Sequence, residues 1–220
     1  MASLFEWNDS YDMNETMSNR SAAQGGGSSG NQKVALTPVR AARREKILVA
    51  AEALFVSQGF RGTTIEAIAE AASMSKVTVY GYFRDKDAVF VAFAHRLAAR
   101  LEAAVRAELA KDEECSTRIA AALSAKQVRV FELVRRSPFS RELFQAKDDH
   151  VSRLFETLDE DIIDLLTKAL MEAGANAEDA RQTAQLLFAS ADGIATHAKD
   201  AGQLVDQINM IVQLVTCHQS

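Results

Sequence analysis

Apolar residues recur every three to four positions along most of this 220-residue chain, which is the period of an α-helix. The pattern is missing from residues 1–32, where Ser, Asn, Gly and Gln dominate and GGGSSG has the composition of a flexible linker. Proline occurs only at Pro38 and Pro138, so few positions would break a helix. The sequence therefore predicts an all-α protein that begins with a disordered arm over residues 1–32.

Capping and breaking residues set the helix boundaries. Thr37 is a suitable N-cap with Pro38 at the first helical position, and the first helix is predicted to end at Gln58, before Gly59, with Phe60 packing back on Phe55. The later helices are predicted over about 63–72, 76–83, 86–110, 117–136, 141–146, 149–173, 178–199 and 202–217.

Residues 63–86 predict two short helices joined by a tight turn. Thr63 and Glu66 have the spacing of a capping box, and Ser75 is suited to cap the second helix. That helix, residues 76–83, is rich in β-branched and aromatic side chains, so propensity alone favours a strand. We predict a helix because no other segment could pair with a strand here, and an unpaired strand leaves its backbone unsatisfied.

A helical segment would turn Val79 and Phe83 toward a core that includes Met74. Its outer face and rim would then carry one cation, one methyl-bearing side chain, one hydroxyl and two phenols. These groups suit DNA phosphates and thymine methyl groups. The residues concerned are Lys76, Val77, Thr78, Tyr80 and Tyr82.

A long pattern of spaced residues surrounds this pair of helices. It comprises Ile47-Leu48, Ala51, Leu54-Phe55, Gly59-Phe60, Thr63-Thr64-Ile65, Ile68-Ala69, Ala72, Ser75-Lys76, Thr78-Val79-Tyr80, Tyr82-Phe83 and Lys86. With these residues, the segment from about 38 to 93 resembles the DNA-binding domain of the TetR/AcrR family of bacterial transcription regulators. Ser73 stands where that family usually has glycine, so the turn is expected to carry strain or a different geometry.

The resemblance implies a helix-turn-helix DNA-binding domain over residues 33–84 and a helical effector-binding and dimerisation domain over residues 85–220. It also implies a homodimer on a palindromic operator in double-stranded DNA, most often as a repressor. The candidate DNA-binding residues are Arg40, Arg43, Arg44, Thr63, Thr64, Ser75, Lys76, Val77, Thr78, Tyr80, Tyr82 and Lys86.

Two groups of these candidates are also supported by their positions in the sequence, apart from the resemblance. Lys86 follows Asp85 at the start of a helix, and a helix N-terminus with a lysine suits a phosphate. Arg40, Arg43 and Arg44 cluster at the start of the first helix, where they would contact the DNA backbone or the minor groove. The alternative for the arginines is an ordinary solvated face.

Charge is distributed unevenly along the chain. The net charge is −5, which by itself argues against a nucleic-acid-binding protein. Residues 33–96, however, carry 10 basic and 6 acidic side chains, a net charge of +4, whereas residues 1–32 and 97–220 carry −3 and −6. The basic excess therefore coincides with the predicted helix-turn-helix, as a phosphate-binding module requires.

The last two predicted helices are the candidate dimer interface. The resemblance implies that they pair with their copies in a four-helix bundle, and the alternative is ordinary core packing within one chain. The candidate interface residues are Ala184, Leu187, Ala191, Ala195, Leu204, Ile208, Ile211 and Val215.

A small, largely apolar effector would bind in the C-terminal domain and release the protein from DNA. The candidate pocket residues are Phe131, Phe139, Phe144, Leu154, Phe155 and Phe188. The same helical spacing of aromatic residues is also typical of a plain core.

The sequence predicts no catalytic residue, metal site or cofactor. It contains no HExxH or CxxC motif, and its histidines have no partner at helical spacing: His95, His150, His197 and His218. Cys115 and Cys217 fit packing residues in a reducing compartment. With no apolar run of about eighteen residues and an acidic N-terminus, a cytoplasmic protein without membrane contact is expected. The rival functions are an activator or protein-responsive regulator of the same fold, and a helical enzyme or interaction scaffold.

Overall fold

The computed structural model describes residues 37–136 and 149–216, and all regular secondary structure within them is α-helical. This confirms the predicted all-α class. The arm over residues 1–32 and the predicted short helix over 141–146 lie outside the described residues. The helices are α1 (Pro38–Gly62), α2 (Ile65–Ala71), α3 (Lys76–Tyr80), α4 (Lys86–Leu109), α5 (Cys115–Arg136), α6 (Asp149–Glu172), α7 (Ala177–His197) and α8 (Ala201–Thr216).

The chain divides into two compact units at Arg43. The described part of the first unit is the beginning of α1. There the Ala41 N–H donates to the Thr37 carbonyl oxygen at 3.0 Å, and the Arg40 N–H donates to Thr37 Oγ1 at 3.4 Å. Thr37 therefore closes the first turn of α1, as the sequence predicts. All that follows on packing concerns the second unit.

The end of α1 differs from the prediction. Instead of stopping at Gln58, the helix kinks at Gly59, whose φ of 74° lies in the left-handed region, and continues for another turn to Gly62. Glycine adopts this conformation without steric cost. The Phe55 and Phe60 ring centroids lie 6.0 Å apart across the kink, so Phe60 packs back on Phe55 as expected.

The cap of α2 is Thr64, and the prediction of Thr63 was wrong. Thr64 has an extended backbone, and its side chain accepts a hydrogen bond from the Ala67 N–H at 3.1 Å. Thr63 instead donates its hydroxyl hydrogen to the Gly59 carbonyl oxygen at 2.7 Å and is fully buried. The kink leaves that carbonyl without its helical partner, and Thr63 satisfies it.

α3 is helical despite its strand-like composition, which confirms the prediction. Its regular part, Lys76–Tyr80, is shorter than expected, but the Phe83 N–H still donates to the Val79 carbonyl oxygen at 3.0 Å. Val79 is fully buried and Phe83 is 5% exposed. Burial of these two side chains therefore overrides the local preference for extended backbone.

Two hydrophobic clusters organise the second unit. The head cluster comprises Ile47, Leu48, Ala50, Ala51, Phe55, Ile65, Ile68, Ala69, Ala72, Val79, Phe83, Val89, Phe90, Ala92, Phe93, Ala94 and Val151. The body cluster comprises Ala98, Leu101, Val105, Ile119, Ala120, Ala122, Leu123, Phe131, Leu158, Ile162, Ile163, Leu166, Leu170, Ala180, Ala184, Leu187, Phe188, Ala191, Leu204, Ile208 and Val212.

Helix α4 contributes to both clusters. It begins with Asp85 as N-cap, whose carboxylate accepts from the Ala88 N–H at 2.7 Å, as predicted. Its first half packs in the head cluster and its second half packs in the body cluster. Because one continuous helix serves both, the domain boundary between residues 84 and 85 stays a prediction.

The helices of the body cluster begin and end close to their predicted positions. Gly174 follows α6 with a φ of 105°, and Asn176 caps α7 by accepting from the Asp179 N–H at 3.0 Å. Cys115 Sγ lies 3.4 Å from the Ala169 carbonyl oxygen, and burial raises the pKa of its thiol. This cysteine is therefore a packing residue, as expected, and Cys217 lies outside the described part of the chain.

The predicted dimer interface is wrong for most of its residues. Five of the eight have no exposed surface in the single chain, because they form part of the body cluster. A side chain without exposed surface has none to offer a second subunit. These five are Ala184, Leu187, Ala191, Leu204 and Ile208. The other three are half-buried: Ala195, Ile211 and Val215.

Candidate nucleic-acid interface

A tight turn, Ala72–Ser75, connects α2 to α3. Within it, the Ser73 N–H donates to the Glu70 carbonyl oxygen at 2.9 Å, and the Met74 N–H donates to the Ala69 carbonyl oxygen at 2.8 Å. Ser73 adopts a left-handed backbone with a φ of 54°, the only positive φ at a non-glycine position among residues 37–136 and 149–216. The strain expected from serine at this position is therefore present.

The inner and outer faces of α3 have different chemistry. Val79 lies in the head cluster, against which Met74 also packs. On the opposite side, Val77 is 80% exposed and Tyr80 is 46% exposed. Large apolar side chains with this exposure at adjacent turns of one short helix leave a surface suited to contact with a partner.

Two hydroxyl side chains close the first turn of α3. The Thr78 N–H donates to Ser75 Oγ at 3.1 Å, and the two side-chain oxygens lie 2.8 Å apart. Ser75 is exposed and Thr78 is half-buried. Both were predicted to contact DNA, and both first serve to fix the start of the helix.

An ion pair links the two helices. Lys76 Nζ donates to Glu66 Oε1, and the same ammonium lies 5.7 Å from the centroid of the Tyr80 ring. The hydrogen bond from Lys76 lowers the pKa of the Glu66 carboxyl, and it raises the pKa of the Lys76 ammonium. Both groups are therefore charged at neutral pH. Sequence analysis did not single out Glu66 as a functional residue, because the pairing depends on how α2 crosses α3.

Two of the predicted DNA-binding residues have roles inside the protein. Thr63 is fully buried, so the prediction that it contacts DNA was wrong. Lys86 donates to the Phe60 and Thr63 carbonyl oxygens at 2.8 and 2.9 Å, and its ammonium lies 4.3 Å from the centroid of the Phe60 ring. Lys86 thus ties the start of α4 to the end of α1, and one N–H remains for a phosphate.

The other candidates lie on α1, at the start of α2 and after α3. Arg40 and Arg43 are exposed near the start of α1, and Thr64 is exposed at the start of α2. Arg44 lies over the Phe83 ring, 5.4 Å from its centroid, and Tyr82 is half-buried against the head cluster. Arg44 also lowers the pKa of nearby His95, although burial of that histidine is the larger cause.

The candidate pocket residues divide into three groups. Phe131 and Phe188 are buried in the body cluster. Leu154 and Phe155 are half-buried and contact both clusters. Phe139 and Phe144 lie outside the described residues. The structure thus places the first two in a core and the second two at the junction of the clusters.

Sequence analysis missed a buried lysine next to the body cluster. Lys126 of α5 is 6% exposed, with Nζ at 3.3 Å from Asp159 Oδ1 and 3.2 Å from Asp192 Oδ1. Its ammonium also lies 4.1 Å from the centroid of the Phe188 ring. Burial raises the pKa of Asp159, and the charge of Lys126 opposes that effect. The only signal in the sequence is a lysine on the apolar side of a helical pattern.

Residues 47–93, which include α2, α3 and the start of α4, match the family described as bacterial regulatory proteins, tetR family. The HTH-type transcriptional repressor Rv1474c of Mycobacterium tuberculosis (strain ATCC 25618 / H37Rv) is 37% identical over 68 residues, which are 31% of this chain and 36% of that protein. By this match, residues 47–93 belong to the TetR family. This chain spans about a third of the length of that curated relative.

Solved structures extend the likeness in fold to most of the chain. A TetR-like transcriptional regulator from Rhodococcus sp. RHA1 superposes with a TM-score of 0.60 at 24% identity, covering 82% of this chain and 96% of that one. The fatty acid degradation regulator FadR from Bacillus halodurans superposes with a TM-score of 0.62 at 17% identity, covering 77% and 94%. At these identities the likeness establishes the TetR fold alone.

These relatives are described as regulators or repressors. Within residues 37–136 and 149–216, His, Cys, Asp and Glu side chains form no group of three or more that could hold a metal ion. None of the helices in the same ranges has the length and apolar character of a membrane span.

Proposed function

We propose that this TetR-family chain is a homodimeric transcription repressor, in which each subunit places α3 in the major groove of half a palindromic operator. The observation that carries the proposal is the division of α3 into a buried inner face and an exposed outer face that includes Val77 and Tyr80. The positive charge of residues 33–96 provides the attraction to phosphates that such docking needs.

The side chains around α3 would divide the contacts between bases and backbone. Lys76 and Val77 are the proposed base-contacting residues, because both are exposed at the start of the helix that would enter the groove. Val77 suits a thymine methyl group, and a good base contact contributes about 1–3 kcal/mol of discrimination. The proposed phosphate-contacting residues are Thr64, Thr78, Tyr80, Tyr82 and the remaining N–H of Lys86.

Two substitutions, one on α3 and one at the start of α1, test a base contact and a backbone contact separately. Val77→Ala is expected to change the preferred operator sequence, because it removes two methyl groups from the 80% exposed Val77 side chain without changing charge. Arg43→Ala is expected to weaken binding to operator and random DNA alike and to reduce the salt slope by about one charge. Fluorescence anisotropy on both DNAs over a salt series measures both effects.

Arg129→Ala is the matched control for the charge change. Arg129 is exposed on α5, where its guanidinium donates to the Ala125 carbonyl oxygen, and it carries the same charge as Arg43. Its removal is expected to leave the salt slope unchanged. If Val77→Ala leaves the preferred operator sequence unchanged, the docking of α3 in the groove is wrong.

The proposed dimer uses the outer faces of α7 and α8 rather than the buried residues first predicted. Leu186 is 54% exposed on α7, and Met210 and Leu214 are 61% and 56% exposed on α8. Exposed leucine and methionine side chains on adjacent helices are what a self-complementary apolar interface requires.

The proposed effector is small and largely apolar, and it would bind among the helices that form the body cluster. Leu154 and Phe155 support this placement, because these half-buried side chains contact both clusters. An effector there would favour one distance between the two α3 helices of the dimer over another. Release from DNA requires a difference in effector affinity between those two states, not tight binding alone.

A further inference from the structure

Glu66 and Lys76 present opposite charges side by side on the exposed surface of α2 and α3. Their side chains keep 60% and 49% of their surface exposed while paired. Lys76 is held over the ring of exposed Tyr80, and Val77 follows it in the chain. The pair therefore offers a strong hydrogen-bond acceptor and a strong donor next to the residues proposed to contact bases.

This arrangement is poorly suited to binding a phosphate. The charge of Lys76 is already offset by Glu66, and DNA phosphates repel a carboxylate that approaches the backbone. A carboxylate is stabilised in the major groove only where a base donates a hydrogen bond to it. The donors exposed there are the N4 amino group of cytosine and the N6 amino group of adenine.

The group next to each donor on the base edge distinguishes adenine N6 from cytosine N4. Adenine N6 lies beside the acceptor N7, which repels a carboxylate, whereas cytosine N4 lies beside a C–H group. Guanine, the partner of cytosine, offers the neighbouring acceptors O6 and N7 to an ammonium, whereas thymine offers only O4. A Glu–Lys pair is therefore complementary to a G·C base pair more than to an A·T base pair.

We infer that Glu66 is a specificity-determining residue that acts with Lys76 to read one G·C base pair in each half-site. Glu66 accepts from cytosine N4, and Lys76 donates to guanine O6 and N7. The inference rests on the proposed docking of α3 in the major groove, and it adds a base-contacting residue from the preceding helix.

Selection of binding sequences from randomised duplex DNA by the full-length chain tests the inference. The wild-type protein is expected to enrich a palindrome with a G·C base pair at one fixed position of each half-site. Glu66→Ala is expected to lose about 5- to 100-fold of preference at that position and to keep the rest of the motif. Glu66→Gln is expected to move the preference to A·T, because glutamine pairs with adenine N6 and N7.

Glu70→Ala is the matched control. Glu70 is an exposed acid one turn further along α2, and its removal changes the charge by the same amount. It is expected to strengthen binding to all sequences without changing the motif. Circular dichroism and thermal melting of each variant verify that the fold is intact.

The outcomes separate this inference from the proposed function. If the wild-type protein enriches no palindrome, the proposed function fails and the inference fails with it. If the wild-type protein enriches a palindrome and Glu66→Ala and Glu66→Gln both enrich that same palindrome, the role of Glu66 is overturned while the docking of α3 stands.

Discussion

Thr63 and Thr64 are adjacent and chemically identical, yet only Thr64 caps α2. The kink at Gly59 decides between them, because it leaves a carbonyl oxygen that Thr63 satisfies. Sequence spacing identifies a threonine cap at this point but not which threonine, since that depends on the path of the preceding turn. The Glu66–Lys76 ion pair could not be predicted for a similar reason. Both residues are visible in the sequence, but their contact depends on how α2 crosses α3.

Ser73 gives a prediction at the residue scale. A non-glycine residue in the left-handed region costs about 1–2 kcal/mol, and Ser73 has a φ of 54°. Glycine removes this cost but loses more entropy on folding, by about 0.5–1 kcal/mol. Ser73→Gly is therefore expected to raise the free energy of unfolding by about 0.5–1 kcal/mol, measured by urea denaturation.

The control uses the same position. Ser73→Ala keeps a Cβ atom in the left-handed region and is expected to give no such stabilisation. Equal stabilisation by the two substitutions would show that the serine hydroxyl, and not the backbone conformation, is the source of the cost.

At the scale of whole elements, the sequence predicted the helices better than the contacts between them. Asp85 caps α4 as predicted, and α7, which Asn176 caps, begins one residue before its predicted start. The helical state of α3 was predicted only by rejecting local propensity, and the burial of Val79 explains why that was right. The ion pairs between α1 and α4 were not predicted, because long charged side chains reach partners that a helical period does not specify.

Those ion pairs give a prediction at the element scale. Arg96 of α4 has a side chain only 13% exposed, pairs with Glu45 at 2.6 Å and also pairs with Glu52. Arg100 pairs with Glu52 at 3.1 Å, but its side chain is 56% exposed. Arg96→Ala is expected to lower the free energy of unfolding by about 2–3 kcal/mol, because it leaves two carboxylates without a largely buried partner.

Arg100→Ala is the comparison, and we expect it to change the free energy of unfolding by less than about 0.5 kcal/mol, as is usual for exposed pairs. Both variants are measured by urea denaturation under the same conditions. Equal losses for the two arginines would mean that burial does not determine the strength of this link between α1 and α4.

For the whole molecule, the fold class was predictable, but the side chains that stay exposed on the last two helices were not. Helical periodicity identifies which side of α7 and α8 is apolar, but the chain itself covers most of that side in the body cluster. The residues left exposed, Leu186, Met210 and Leu214, lie off the predicted stripe. Periodicity alone does not distinguish a face that packs within a subunit from one that packs between subunits.

The proposed dimer gives a prediction at this scale. Met210→Glu is expected to yield a monomer in analytical ultracentrifugation, because a two-fold interface places the new charge against its own copy. Operator affinity is expected to fall by at least about 100-fold, since the two half-sites are then bound separately. Met171→Glu on α6, at a methionine 47% exposed, is the control and is expected to remain dimeric. A dimeric Met210→Glu protein would place the interface elsewhere.

The position of Val151 limits how α4 can move. This residue belongs to α6, whose later residues pack in the body, yet its own side chain is 2% exposed within the head cluster. If α4 tilted alone, Val151 would have to leave its site, and exposing a buried valine to water costs about 1.5–3 kcal/mol. The proposed effector signal would therefore reach α3 most readily if α4 and the first turn of α6 moved together as one lever.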